Sequence, residues 1–242
     1  NLSSGMDRDS DEAYQDDQDE NSWDSFKKKR MTSILQNVKG YQAEKTFHLP
    51  LKAMSLGRDS FPRVFEKDDL PDYQSLWKSF NADFKLIQAD TYHAFAETFL
   101  SLLFRYTTAI PASTIHFPDV SLYDHLKTTA AIAVCLYDYQ QAGEKGEKPF
   151  LLIGGDFSGI QNYIYQIVSK YASKNLKGRS FYLRILSDCI VRYLLRELNL
   201  FQASIVYNSG GSFYLLAPNT QEVKDRLERA ILGIDKSVFQ SH

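Results

Sequence analysis

The chain has 242 residues, of which 43% are hydrophobic and 14% aromatic, ample for one large or two ordinary domains with packed cores. Its net charge of −2 argues against a generic polyanion binder, although a local basic groove remains open. No unbroken apolar run approaches the roughly 20 residues of a membrane span, and no secretory signal opens the chain, so a cytoplasmic protein with no membrane partner is expected.

Residues Asn1 to Arg8 are too short to stand alone. From Asp9 to Asp24 the sequence is acidic and poor in apolar residues, and Lys27-Lys28-Lys29-Arg30 follows at once. The composition of 9–30 predicts a mobile loop, read as a solvated insertion or as a nucleic-acid contact through its basic cluster. Residues 31–72 alternate short apolar runs with Pro50, Gly57, Pro62 and Pro71, which predicts a small β or irregular insertion. Ile34 to Val38 and Thr46 to Leu51 are its candidate strands.

From Tyr73 the period becomes helical: Leu76, Trp77, Phe80, Phe84 and Ile87, then Phe95, Phe99, Leu102, Leu103 and Tyr106, with Ile110-Pro111 as the stop. Ser121 is the expected N-cap of a third helix with a small alanine face. Asp124 and His125 are adjacent in its first turns. The pair suits a metal or ordinary helix-start solvation, and Lys127, one turn on, is a further partner for Asp124. Gln140 to Pro149, with Gly143 and Gly146, reads as a linker that separates residues 1–142 from 147–242. Cys135 and Cys189 fall in apolar helical runs and are expected as two buried free thiols rather than a disulfide.

The second part opens on Phe150-Leu-Leu-Ile-Gly-Gly155, a buried strand that breaks at Asp156-Phe-Ser-Gly-Ile-Gln161 into a helix. Tyr163, Ile164, Ile167, Val168 and Tyr171 make its apolar face. Asn175 to Ser180 is read as a polar joint that opens a long helix through Leu198, with Lys177 and Arg179 flanking a glycine either at a helix N-terminus suited to an anion or in an ordinary interhelix turn with surface charges. Ala203 to Tyr207 and Phe213 to Ala217 are short strands joined by Asn208-Ser-Gly-Gly-Ser212, which is hairpin chemistry. This order predicts an α+β chain, mainly helical at first and followed by a ferredoxin-like palm of the nucleotidyl-cyclase kind. If the first strand lies antiparallel beside the third, Asp156 and the Gly210-Gly211 turn share one sheet edge. A working palm holds metal ions there with two carboxylates. Only Asp156 is present, so the site is expected to hold a nucleotide without performing chemistry.

Three motifs carry a resemblance to a known family. Gly155-Asp-Phe-Ser-Gly-Ile-Gln161, Lys177-Gly-Arg-Ser-Phe-Tyr-Leu183 and Tyr207-Asn-Ser-Gly-Gly-Ser-Phe-Tyr-Leu-Leu-Ala-Pro-Asn219 resemble the first palm domain of the large subunit of type III-A CRISPR effector complexes, the Cas-ten protein of the Csm kind. Asp119 to Ala133 is similar to the helix that ends that family's permuted HD region, and Asn1 to Arg8 to the segment after its last metal aspartate. The resemblance implies that 1–142 is the remainder of the HD region and 147–242 a first palm still lacking its last strand, in an internal segment of a longer protein.

The intact family protein is implied to cut single-stranded DNA at an HD site with a divalent metal such as Mn or Ni. It is also implied to make cyclic oligoadenylate from ATP and Mg in a second, GGDD palm when target RNA binds. For this segment the resemblance and the residues together imply no catalysis by itself. The implied ATP site, shared at the two-palm interface, comprises Asp156, Phe157, Ser158, Gly159, Gln161, Gly210, Gly211 and Ser212, with phosphate contacts expected from Lys177 and Arg179. His125 and Asp156 are the candidate metal ligands. The implied partners are the other complex subunits, CRISPR RNA, target RNA and single-stranded DNA. A scaffold that docks subunits without a nucleotide role is the alternative.

Overall fold

The structure is a computed structural model that describes residues 28–37, 45–66, 69–113, 117–165 and 172–239. The acidic stretch through Lys27, together with Val38, Ile167, Val168 and Tyr171, lies outside the described residues. The chain divides into two compact units, Asn1–Thr129 and Ala130–His242.

In the first unit, helix α1 (Tyr73–Phe84) is capped by Asp72, whose carboxylate accepts from the Ser75 amide at 2.9 Å. Helix α2 (Tyr92–Thr107) starts at Thr91, which accepts from the Ala94 amide at 3.1 Å. The predicted periodicity becomes packing here. Leu76, Leu102 and Tyr106 are buried against Phe80, Ile87 and Phe99, and the rings of Trp77, Phe80 and Phe84 stack in succession along α1. Trp77 itself stays 63% exposed. The Tyr106 hydroxyl donates to Asp83 at 2.7 Å, which satisfies the polar end of a buried ring.

The two expected strands of the insertion do not form. Ile34–Asn37 is a short 3-10 helix, and Thr46 to Leu51 contributes only isolated bridges, His48 pairing with both Thr32 and Arg63. Runs of five and six residues, the second interrupted by Pro50, do not outweigh the ordering cost without a neighbouring strand to complete a sheet.

Helix α3 (Leu122–Gln141) begins at Ser121 as expected, and the division between the units falls inside it, ahead of the predicted linker. In the second unit its last turns are tied to that linker, because the Tyr139 hydroxyl accepts from the Gly146 amide at 2.9 Å.

The second unit is a three-stranded antiparallel sheet in the order β1-β3-β2, with β1 Phe150–Asp156, β2 Ile205–Ser209 and β3 Ser212–Pro218. Helices α4 (Ile160–Tyr165) and α5 (Ala172–Glu197) connect β1 to β2, and α6 (Gln221–Phe239) follows β3. This is the split arrangement of a ferredoxin-like fold, with β3 between two strands that run against it. One sheet face supplies Ile153, Phe213, Leu215 and Ala217 to a core completed by Val191, Leu194, Leu195 and Leu198 of α5 and Val223 and Ala230 of α6. Gly155 pairs with Phe213, and the phenyl ring covers it so closely that a Cβ would overlap Cζ and Cε1 and come within 3.1 Å of Cε2.

Among the described residues nothing covers the other face, so β1 is not the buried strand that its apolar run suggested. Ile153 is its one buried residue, whereas Leu152 is 60% exposed and Tyr214, opposite Gly154 on the same face, 45%. With helices on one face only, alternate residues have nothing to pack on. Helix α5 ends on Asn199 at φ 56°. The Leu200 amide reaches the Leu195 carbonyl at 2.7 Å, and the Asn199 amide reaches that of Arg196 at 3.2 Å, a Schellman closure that buries Leu200.

Cys135 and Cys189 are both free, but only Cys135 is buried. Cys189 lies two residues from Val191, about 200° around α5, and so faces away from the core.

Candidate functional site at the hairpin turn

The expected juxtaposition of Asp156 with the hairpin is present. The β1–β3 register places Asp156 opposite Ser212, and the Ser212 hydroxyl donates to the Asp156 carboxylate at 2.5 Å. One residue on, the Phe157 amide donates to the Gly211 carbonyl at 3.0 Å, so the β1–α4 turn is clipped to the hairpin. Gly210 and Gly211 both take positive φ, 64° and 88°, as a two-residue turn matched to strand twist requires. A Cβ on Gly211 would overlap Ile160 Cδ1 and lie 3.5 Å from Phe157 Cδ2. The turn therefore rests on the terminal methyl of Ile160 at the start of α4.

Between α4, α5 and the hairpin opens a cleft of about 210 Å³, lined by Ile160, Ile164, Ser180, Leu183, Arg184, Ser187, Ser209, Gly210 and Gly211. Of the sequence-predicted residues, Gly210 and Gly211 line it. Asp156, Phe157, Ser158, Gly159 and Ser212 form the adjoining turn and strand ends, and Gln161 is exposed in the first turn of α4. Gly159, at φ 76°, has open space around it.

Lys177 and Arg179 do not flank a helix N-terminus. Helix α5 already runs from Ala172, so both lie within it and Asn175 to Ser180 is no joint. A single Gly178 costs such a helix only about 1 kcal/mol relative to alanine, too little to break it. Arg179 instead donates to the Tyr163 carbonyl at the end of α4 and stacks its guanidinium over that ring, 5.1 Å from the centroid.

The sequence reading missed a network that joins α5 to the hairpin. Arg184 Nη1 donates to the Asn208 carbonyl at 2.6 Å, and Arg184 Nε lies 3.2 Å from Asp188 Oδ2. The Asn208 side chain accepts from Ser187 Oγ at 2.6 Å and donates to Asp188 Oδ1 at 2.8 Å. The available signal was the spacing Ser180, Arg184, Ser187, which places three polar residues on one face of the helix.

Among the described residues no group of three or more His, Cys, Asp or Glu can hold a metal ion. Asp156 has the Ser212 hydroxyl on its carboxylate and no second carboxylate among the residues that line the cleft, so the described residues do not form a self-sufficient magnesium site. His125 lies in the first turn of α3 in the first unit. The neighbouring Asp124 carboxylate accepts from the Ser121 hydroxyl at 2.9 Å while its amide donates to the same oxygen at 3.1 Å, which forms a helix cap. Burial pushes the Lys127 ammonium below its usual range, and the Asp124 carboxylate opposes that shift.

Residues 149–242 match the family described as Csm1 subunit domain B. The CRISPR system single-strand-specific deoxyribonuclease Cas10/Csm1 (subtype III-A) of Methanocaldococcus jannaschii is 35% identical over 205 residues, 70% of this chain and 25% of the relative. The solved Csm1 of T. onnurineus superposes with a TM-score of 0.62 at 28% identity, over 84% of this chain and 27% of that one. A Csm1–Csm4 cassette solved in complex with one ATP gives 0.58 at 30% identity, over 77% and 25%. The chain thus spans about a quarter of the length of these relatives. Motifs, sheet order and matches agree, and the chain belongs to the Cas10/Csm1 family of CRISPR subtype III-A.

Proposed function

We propose that this chain serves in the large subunit of a type III-A CRISPR RNA-guided antiviral complex, and that its second unit is a palm that supplies one wall of an ATP site. The observation that carries this reading is the glycine turn clipped to the β1–α4 turn beside an open cleft. At about 210 Å³ the cleft is smaller than the roughly 300–1,000 Å³ of sites that enclose a ligand. It suits a nucleotide shared with a second surface, the GGDD palm of the same protein that makes cyclic oligoadenylate.

Magnesium arrives with ATP in this reading and supplies charge neutralisation. The residues of this chain bind and orient: the apolar wall of Ile160, Ile164 and Leu183 receives the base, and the glycine turn lets backbone approach closely. The segment performs no catalysis alone, because the hairpin offers Ser212 where a second carboxylate is needed. Single-stranded DNA cleavage at an HD site with its own divalent metal, and contacts with CRISPR RNA, target RNA and the other Csm subunits, belong to the whole assembly.

Isothermal titration of ATP with magnesium into this chain and into the full-length protein tests the reading. Binding to the full-length protein alone supports the shared site. Tight, metal-dependent binding to this chain alone overturns it. The scaffold alternative draws on the outer surface of α5, where Phe181 is 66% exposed and Tyr182 55%. It predicts that Gly211→Trp leaves ATP affinity and synthesis unchanged.

A further inference from the structure

The cleft combines an apolar wall with a single kind of charge. Among the described residues that line it, Arg184 alone is ionic and none is a carboxylate. Its guanidinium is held on two sides, by Asp188 at Nε and by the Asn208 carbonyl at Nη1. A guanidinium has five N–H donors, so three remain for a ligand, and the side chain is 51% exposed. Both Asp188 oxygens are occupied as well, Oδ2 by Arg184 and Oδ1 by the Asn208 amide, and Asn208 is in turn gripped by Ser187. The cation is thus fixed in place before any ligand arrives, which limits the ordering cost of binding an anion.

We propose that Arg184 is the polyphosphate contact of this cleft, oriented by Asp188 and Asn208, and that it sets a preference for nucleoside triphosphate over nucleoside. This inference rests on the reading of the cleft as part of an ATP site. Where a working palm meets the triphosphate with two carboxylates and their metal, this one offers a fork of N–H donors that matches phosphate oxygens. Asp188 and Asn208 are positioning residues, because they reach the ligand only through Arg184.

The test uses the full-length protein and labels the cleft by photo-crosslinking with 8-azidoadenosine, with the labelled peptides of this chain mapped by mass spectrometry. ATP, ADP, AMP and adenosine then compete, each with magnesium and with EDTA. In the wild type the concentration for half-competition should rise from ATP to adenosine. Arg184→Gln should raise that for ATP about 10- to 100-fold and leave that for adenosine unchanged, and Arg184→Lys should recover part of the loss. An unchanged ATP-to-adenosine ratio in Arg184→Gln overturns the role of Arg184 while the nucleotide site stands. Absence of labelling in the wild type overturns both. If Arg184→Gln fails to fold, as its melting would show, Arg184→Lys carries the same comparison: a ratio lowered part of the way supports the inference, and an unchanged ratio overturns it.

Discussion

Replacing Gly211 by alanine should destabilise the second unit more than the same change one residue earlier. Both glycines sit at positive φ, 64° at Gly210 and 88° at Gly211, so each alanine incurs about 1–2 kcal/mol for the left-handed backbone. At Gly210 nothing lies within 4 Å of the added Cβ, and the cost ends there. At Gly211 the Cβ overlaps Ile160 Cδ1. Cδ1 is the far end of a flexible, half-buried side chain, so relief needs only a turn of the Ile160 terminal methyl, which adds about 0.5–1.5 kcal/mol. Ile160→Val removes that Cδ1 and should cost about 0.5–1.5 kcal/mol in the wild type. In the Gly211→Ala background it should cost nothing or stabilise. Urea unfolding of the four proteins of this double-mutant cycle gives a coupling of about 0.5–1 kcal/mol if the contact is as described. Zero coupling, or equal losses for Gly210→Ala and Gly211→Ala, would refute the packing of the turn on α4.

Three further outcomes follow from the second unit. Burial, with Asp138 nearby, pushes the Cys135 thiol up to about 12, whereas Cys189 is exposed; maleimide at pH 7.5 should therefore label Cys189 alone in the folded protein and both after denaturation, as intact-mass spectrometry would show. Asn199→Gly should stabilise by about 0.5 kcal/mol, because glycine takes the φ of 56° without a Cβ penalty; a lower urea midpoint would count against it. Burial raises the Asp138 carboxyl above its ordinary value, so the folded chain binds that proton more tightly than the unfolded chain and Asp138 weakens the fold as the pH rises through its titration. Asp138→Asn is expected to be more stable than the wild type at pH 7 and to lose that advantage at pH 3, where the carboxyl is protonated in both states; an equal difference at both pH values would exclude the electrostatic cause.

The hairpin and its neighbour strand were legible because their signals are local and agree. Two glycines between alternating apolar runs specify a two-residue turn, and antiparallel placement of β1 beside β3 then brings Asp156 to Ser212 without further information. The Asn175 to Ser180 segment misled for the same local reason. Polar residues around a glycine look like a break, yet a helix already propagating on both sides absorbs them. Arg184, Ser187 and Asp188 were invisible as a site because their meaning lies in Asn208, about twenty residues further on and brought near only by the sheet. The openness of the sheet was equally hidden: Leu152 and Ile153 look alike in the sequence, and only the side on which the helices pack separates them.

The phenyl ring of Phe213 lying across Gly155 ties two distant positions into one unit of inheritance. A side chain at 155 can be accepted only if the residue at 213 shrinks first, and a smaller residue at 213 leaves a hollow over the glycine until 155 enlarges. Each single step loses packing that the pair together would keep. Evolutionary drift in this sheet should therefore proceed by paired exchange at 155 and 213, whereas Leu152 on the open face is free to change alone.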